Sequence, residues 1–568
     1  MNHSARFPTT ARVLLIVFVT VSFFGILRYR HNQAASPAAS NGSERQGKLA
    51  AATSVAILVN NTHSHQVMEG FGATLNAEVP GPDVLTASQR ARALDAVYNQ
   101  VKIRTGQAPT VVEAPSTGGD FYDRRANDNS DPFALNWLGY NKTPGDNFKQ
   151  KVVDLVPAEA TANIFPDVHI NIRWGSPWLA TIRDSDYNRF LDECAEQVLA
   201  GLIYWKDTYG REPRYTMLFN EPTSGNKELP GGSDQQVVDI IKRAGGRVRA
   251  AGFNTVKFVV PSQETEETSL KTARSIVADA DARQYVGAIS YHPYPYGSIY
   301  SYIPSILKTS GLGRPDAARV SVRNQLRDLG RKYGIPVWMN EVSHGLIDIP
   351  SPDLQSFDVV RGRAIHIHDE LTYADAAAYY GMLTLWSTGS QLRHYKDSNL
   401  PTNPDDIVVT YQDTDKVVIT GMGYAIGHYA RWINRGAVRI ESTSDDSLVQ
   451  VIAFRDDAQG RFVLVAINND SLPRNLNVSL KGLSLRGTLV GEQSTAGAYW
   501  QALDPFALTD SSSFSITVPA LSVTTVATSL AESALSFAIV KRGGILAISL
   551  WRLSEFDDRL SPHSARRR

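Results

Sequence analysis

Two glutamates stand where glutamates are costly. Glu221 closes the apolar run of "YTMLFNEP", and Glu341 closes that of "IPVWMNE". A carboxylate at the end of a hydrophobic run costs free energy unless it is solvated, paired or neutral. Here each follows an asparagine, Asn220 and Asn340. Two carboxylates converging on one site suit cleavage of a glycosidic bond: one, protonated, donates to the leaving oxygen, and the other, ionised, attacks or activates water. Pro222 biases Glu221 towards an extended backbone. Asn220 offers two N–H donors and a carbonyl acceptor, which suits a sugar hydroxyl beside the bond being cut. A single random glutamate reads better as a solvated loop end or an ion-pair partner; it is the pair, each after an asparagine at an apolar strand's end, that favours the catalytic reading.

Such residues need a frame that brings them together. From about residue 67, short β-type runs alternate with helical patterns, the sequence sign of a parallel α/β architecture. Eight runs can be counted: "MEGFGATL", "VKIRTG", "DVHINIRW" ending at Trp174, "YTMLFNE", "TVKFVVPS", "VGAISYH", "IPVWMNE", and "AYYGMLTLW" ending at Trp386. Between them lie helical stretches such as "SVRNQLRDLGRKYG", with a stripe of Val322, Leu326 and Leu329 and a stop at Gly334. Eight strands with intervening helices predict a closed (β/α)8 TIM barrel, whose chemistry sits at the C-terminal strand ends. Glu221 and Glu341 end the fourth and seventh strands on this count and would share one cleft.

After about residue 436 the pattern becomes alternating strands joined by turns, as in "SLVQVIAF" and "RFVLVAIN", which predicts an appended antiparallel β-sandwich. "TSVAILVNN" near Val55 is expected to add a strand to it. The expected division is residues 1–50 as leader and linker, 51–66 as the sandwich strand, 67–435 as the barrel and 436–530 as the sandwich. The tail 531–568 continues neither pattern.

Lys plus Arg and Asp plus Glu are both 57, a net charge of zero without a long internal basic run, which argues against nucleic acid as a partner. The single cysteine, Cys194, recurs with Phe190, Val198 and Leu202 every four positions, as on a buried helix face. It reads as core packing, and no internal disulfide is possible. Near the N-terminus, Arg6 and Arg12 precede the apolar stretch Val13 to Leu27, with Arg28 and Arg30 directly after it. This fits either a signal-peptide core or an uncleaved membrane anchor, with Ala34 to Gly47 as a flexible linker. Either way the larger part of the chain is expected outside the cytoplasm, as a monomer.

The ordered set of motifs resembles the retaining (β/α)8 glycosidases, and within them glycoside hydrolase family 30, which includes glucosylceramidase, xylanases and β-1,6-glucanases. "EGFGA" (Glu69 to Ala73) resembles the family's first-strand signature, and "IRWGSPWL" its third-strand segment. "FNEP" is similar to the acid/base motif, "YHPY" to the sixth-strand His-x-Tyr and "WMNE" to the nucleophile motif. "YAIGHYARWINRGAVRI" is similar to the hinge into the sandwich. The resemblance implies a β-linked carbohydrate substrate, Glu221 as acid/base, Glu341 as nucleophile and Asn220 as partner of the sugar 2-hydroxyl. It implies Tyr294 as the phenol bonded to the nucleophile, His292 on the same wall, Arg104 supporting the nucleophile, and Trp174 and Trp386 as walls of the sugar subsite. No metal or cofactor is implied. Where the family has a Ser-x-Asp-Phe-like stretch after the arginine, this chain has "TGQAPTVVEAPSTGGDFYD", so the aspartate for distal sugar hydroxyls is not matched; Asp120 is the nearest candidate and Glu113 a weaker one.

Two other readings stay open. His366 and His368 in "IHIHDE" could ligate a metal on a strand, where alternate residues share a face, but the surrounding sequence is more helical than extended. A non-catalytic carbohydrate-binding barrel would be favoured by loss of either glutamate, and both are present.

Overall fold

The computed structural model describes residues 52–75, 85–110, 127–168, 177–223, 229, 232–294, 317–342, 355–388, 406–411, 416–530, 537–542 and 545–550. The chain enters through β1 (Thr53–Val67). Eight parallel strands then close into a barrel in chain order: β2 (Gly70–Thr74), β3 (Thr105–Thr110), β4 (Ile164–Asp167), β5 (Tyr215–Met217), β6 (Lys257–Gln263), β7 (Val286–Tyr291), β8 (Val337–Met339) and β9 (Ala376–Leu383). Phe71 pairs with Tyr379 where β2 meets β9 and shuts the ring. β2 can approach β3 because residue 72 is glycine: a Cβ there would lie 2.2 Å from the Thr105 carbonyl oxygen. Phe165, Met217, Val259, Ala288, Trp338, Ala378 and Tyr380 cluster as a buried plug in the barrel. Tyr215 meets Trp338 edge-on at 4.8 Å. A barrel filled this way is a packed core, which leaves the rims for binding.

The helices that position the site pack outside. α1 (Tyr187–Tyr209) starts where the Asp186 side chain accepts from the Arg189 amide and stops at Gly210, whose φ of 70° is the left-handed stop that glycine adopts cheaply. Its inner face buries Phe190, Cys194, Val198 and Leu202, as the four-residue spacing requires. Burial pushes the Cys194 thiol well above its usual range, so it is core rather than nucleophile. α2 (Asp234–Ala250) opens with a Ser233/Gln236 capping box. α3 (Glu266–Ala278), α4 (Ala317–Tyr333) and α5 (Phe357–Tyr373) follow β6, β7 and β8. On α4, Leu326 is buried and flanked by the half-buried Val322 and Leu329.

After β9 come β10 (Leu385–Thr388), β11 (Val408–Tyr411) and β12 (Lys416–Ile419), a separate three-stranded sheet, and then α6 (Gly421–Ala430). The remainder is β-structure: β13 (Val438–Ser444), β14 (Val449–Asp456), β15 (Arg461–Asn468), β16 (Arg474–Lys481), β17 (Leu485–Thr495), β18 (Ala498–Ala502), β19 (Phe506–Ala507), β20 (Ser513–Val518) and β21 (Ser522–Leu530). β1 joins this sheet between β13 and β16, antiparallel to the first and parallel to the second, with Val55, Ile57 and Val59 inward. Residues of β14, β15 and β21 share one buried core with the barrel. At that junction His428 of α6 bonds Ser494 Oγ at 2.8 Å and Thr525 Oγ1 at 3.0 Å. Within the tail, β22 (Phe537–Arg542) and β23 (Ile545–Leu550) pair as an antiparallel hairpin.

Three expectations need correction. The third barrel strand is "IFPD", upstream of the run ending at Trp174, and residues 169–176 lie outside the described ones. Trp386 does not end the eighth barrel strand: β9 stops at Leu383, and Trp386 belongs to β10. Arg104 does not end the second strand but precedes it, at the N-terminal rim. The apolar stretch Val13 to Leu27 lies outside the described residues; among those, no helix is long and apolar enough to cross a membrane.

Candidate active site

The C-terminal ends of β5, β7 and β8 bring four predicted residues together. After β5, Leu218 and Phe219 are fully buried and carry the chain to Asn220 and Glu221 at the rim. Glu221 is 6% exposed. Its φ is 51°, in the left-handed region that a non-glycine residue adopts at a cost. The extended backbone expected from Pro222 is therefore not what the chain adopts. Tertiary structure overrides the local bias, because the Glu221 amide donates to the Ser262 carbonyl of β6 at 2.8 Å and fixes the turn. Strain of this kind persists where the surroundings over-determine it.

Glu341 lies two residues past β8 and is half-buried. His292, one residue past β7 and fully buried, lies between the two glutamates. Its Nδ1 is 3.1 Å from Glu221 Oε1 and 3.7 Å from Glu341 Oε1. The Tyr294 hydroxyl donates to Glu341 Oε1 at 3.1 Å, and its ring stands edge-on to His292 at 5.9 Å. One ligand atom from each of Glu221, His292 and Glu341 lies within 4.8 Å of the others.

The supporting residues are ones that sequence reasoning missed. Asn340 does not face the rim as a second Asn220 would: its Nδ2 donates to Ser262 Oγ at 3.0 Å and contacts Met217 Sδ at 3.1 Å, locking β8 to β6 and β5. Ser262 Oγ also meets Ser290 Oγ at 2.7 Å. Gln263 Oε1 accepts from the Thr223 amide at 3.1 Å, just past Glu221. Ser262 and Gln263 end an apolar run, the same signal that singled out the glutamates.

Behind the rim, three helices hold the end of β7. Arg323 of α4 is buried between Glu266 of α3 at 2.8 Å and Glu370 of α5 at 2.5 Å. Glu370 accepts from the Tyr291 hydroxyl, and Arg319 donates to the Pro293 carbonyl. Burial alone would raise the Glu370 carboxyl, but Arg323 and His366 bring it down to about 2. Nothing in the sequence separates these charges from ordinary solvated helix faces.

Of the remaining predicted residues, Arg104 does not join the cluster. Arg104 donates to the Tyr98 and Ile103 carbonyls and lies 3.5 Å from Glu159, at the opposite rim from the carboxylates. Trp174, Glu113 and Asp120 lie outside the described residues. For Trp386 the backbone alone is described. His366 and His368 sit on helical α5, where neighbours two apart face different ways. His366 bonds Tyr379 and lies close to Glu370, whereas His368 meets Asp369 and the Val451 carbonyl. Burial pulls His366 down to about 4, and its Nε2 stands 3.0 Å from Glu370 Oε1.

Residues 436–526 match the family model described as "Glycosyl hydrolase family 30 beta sandwich domain". Among solved structures, a family 30 endoxylanase from Clostridium papyrosolvens C71 is 17% identical with a TM-score of 0.55, over 83% of this chain and 99% of that one. Xylanase C of the same family from Talaromyces cellulolyticus is 17% identical with a TM-score of 0.57, over 84% and 100%. An endo-β-1,6-glucanase is 14% identical with a TM-score of 0.57, over 84% and 94%. At these identities the likeness speaks for the fold, a barrel with an appended sandwich. No curated protein matches the sequence.

Proposed function

We propose that the chain is a glycoside hydrolase of family 30, a reading supported by the sandwich-domain match and the barrel-plus-sandwich fold, and that it cleaves β-linked polysaccharide or glycoconjugate with retention, through a covalent glycosyl-enzyme on Glu341. The observation that carries this reading is the convergence of Glu221 and Glu341 within 4.8 Å at the barrel's C-terminal rim. Retaining enzymes keep their carboxyl groups about 5–5.5 Å apart, and inverting ones hold them roughly 6.5–9.5 Å apart to admit a water. One oxygen of each carboxylate within 4.8 Å of the other is compatible with the first class.

In the first step a Glu341 oxygen bonds the anomeric carbon as the bond to the leaving oxygen breaks, and Glu221 gives that oxygen its proton. In the second, Glu221 takes a proton from water, whose oxygen displaces Glu341 and restores the starting state. Tyr294 holds the nucleophile's orientation through Oε1. Asn220, beside Glu221, would take the sugar 2-hydroxyl, and Trp174 and Trp386 would line the subsite. Xylan and β-1,6-glucan are the first substrates to test, since the structural relatives include xylanases and an endo-β-1,6-glucanase. We place the enzyme outside the cytoplasm through the segment Val13 to Leu27, released or anchored, and acting as a monomer.

Product analysis by NMR on xylan, β-1,6-glucan, β-1,6-galactan, glucosylceramide and aryl β-glycosides tests this, with β-anomer expected first from the substrate cleaved. Release of the α-anomer first would overturn it. One further reading has an observation behind it: Glu221, His292 and Glu341 together form a donor set that a divalent cation could take. Full activity after exhaustive chelation is expected of the acid/base mechanism, whereas loss restored by added Zn²⁺ or Mn²⁺ would favour the metal.

A further inference from the structure

The opposite rim of the barrel holds a second polar cavity, of about 30 Å³, away from the carboxylates. Its walls come from the N-terminal ends of the strands, including Thr105, Ile164 and Tyr215, the first residues of β3, β4 and β5. Two indoles line it, Trp205 of α1 and Trp338 of β8, at 0% and 1% exposure. The Nε1–H of each is buried and has no hydrogen-bond partner among the described residues.

Three arginines, Arg211, Arg214 and Arg435, also line the cavity. Arg214 and Arg435 both reach the same oxygen, Glu69 Oε2, at 2.9 Å. The other Glu69 oxygen accepts from Tyr215. Glu212, the second carboxylate in the wall, is taken by Lys206 at 2.8 Å. Arg211 is half-buried and has no ion pair among the described residues, and burial lowers its guanidinium from the usual value. The local balance is therefore positive, since Lys206 and three arginines face only Glu69 and Glu212.

Indole and guanidinium nitrogens donate and never accept. The side-chain acceptors present are already engaged: the Thr105 hydroxyl bonds the Asn163 carbonyl and the Tyr380 hydroxyl. A water molecule there would accept well but find few side-chain acceptors for its own protons. An anion offers acceptors to the two indole N–H groups and to Arg211, and offsets the excess charge at once.

We infer that this cavity is a binding site for a small inorganic anion of chloride size, held by Arg211 and the Trp205 and Trp338 indole N–H groups. It sits on the face away from the catalytic rim, so it fastens the starts of β3, β4, β5 and β8 rather than taking part in chemistry. Its truth does not depend on the proposed reaction.

Bromide is the probe. Crystals of the full chain soaked in sodium bromide and measured at the bromine absorption edge should show an anomalous peak within hydrogen-bond distance of both indole nitrogens and Arg211. In solution, bromide should quench a saturable part of the tryptophan fluorescence, chloride should compete, and Arg211→Gln should weaken half-saturation at least tenfold with unchanged turnover. Water without anomalous signal in the cavity would overturn the inference, as would purely linear quenching that chloride does not affect. Should Arg211→Gln fail to fold, the wild-type diffraction result decides alone.

Discussion

Replacing Tyr294 by phenylalanine removes one oxygen and keeps the ring that stands edge-on to His292. What is lost is the hydrogen bond to Glu341 Oε1 at 3.1 Å. Hydrogen bonds to charged groups contribute about 1.5–3 kcal/mol. The Glu341 side chain is 19% exposed, so water offers partial compensation and about 2 kcal/mol is the reasonable expectation. At 1.36 kcal/mol per factor of ten, that is roughly 30-fold in kcat/KM. The assay is kcat/KM on the aryl β-glycoside turned over best, beside a thermal melt showing the fold intact. If Glu341 is the nucleophile, inactivation by the matching 2-deoxy-2-fluoro glycoside should slow by a similar factor, because both report attack by Glu341. Activity within twofold of wild type would refute the argument that Tyr294 orients the nucleophile. A loss beyond a thousandfold with an unchanged melt would also refute it, since the phenol would then be performing chemistry itself.

Three other expectations follow from the same geometry. Glu370→Gln strips Arg323 of one of its two buried partners and should cost about 3–5 kcal/mol in urea unfolding; a change under 1 kcal/mol would mean the network is not needed to hold β7. Burial holds His428 neutral, with its pKa pulled down to about 3. The unfolded chain therefore takes up a proton that the folded chain refuses, and stability is lost as pH falls from about 6.5 towards 3, by roughly 3 kcal/mol between pH 7 and 4 for this residue. His428→Asn should flatten that slope in melts across the range, and an unchanged slope would contradict the assignment. Gly427→Ala would set a Cβ 2.0 Å from the Trp500 ring at the junction of barrel and sandwich, and overpacking of that kind should cost about 1–3 kcal/mol in the same urea assay.

The carboxylates were legible because polar residues at the ends of apolar strands are improbable without a cause, and the strands around them alternate with helices clearly enough to be counted. Errors arose where burial imitated a strand or a strand did not look like one. Val101 and Ile103 are both fully buried and alternate like strand residues, but Lys102 between them has a φ of 63°, and β3 starts only at Thr105. That displaced Arg104 to the wrong rim. "IFPD" does not look like a barrel strand, since a proline argues against a central strand. The ladder tolerates Pro166 by a register shift between β3 and β4. "AYYGMLTLW" reads as one apolar run, and the break at Thr384 into a second sheet is set by tertiary pairing with β11, which no local pattern encodes. The Arg323 network was illegible for a related reason, since its charges are buried by the packing of three helices distant in sequence.

The central claim is that Glu341 becomes covalently bonded to the sugar. An activated 2-deoxy-2-fluoro β-glycoside of the preferred sugar should inactivate the enzyme with one equivalent bound, and peptide mass spectrometry should place the adduct on Glu341. An adduct on any other residue, or turnover with inversion and no adduct, would contradict the account.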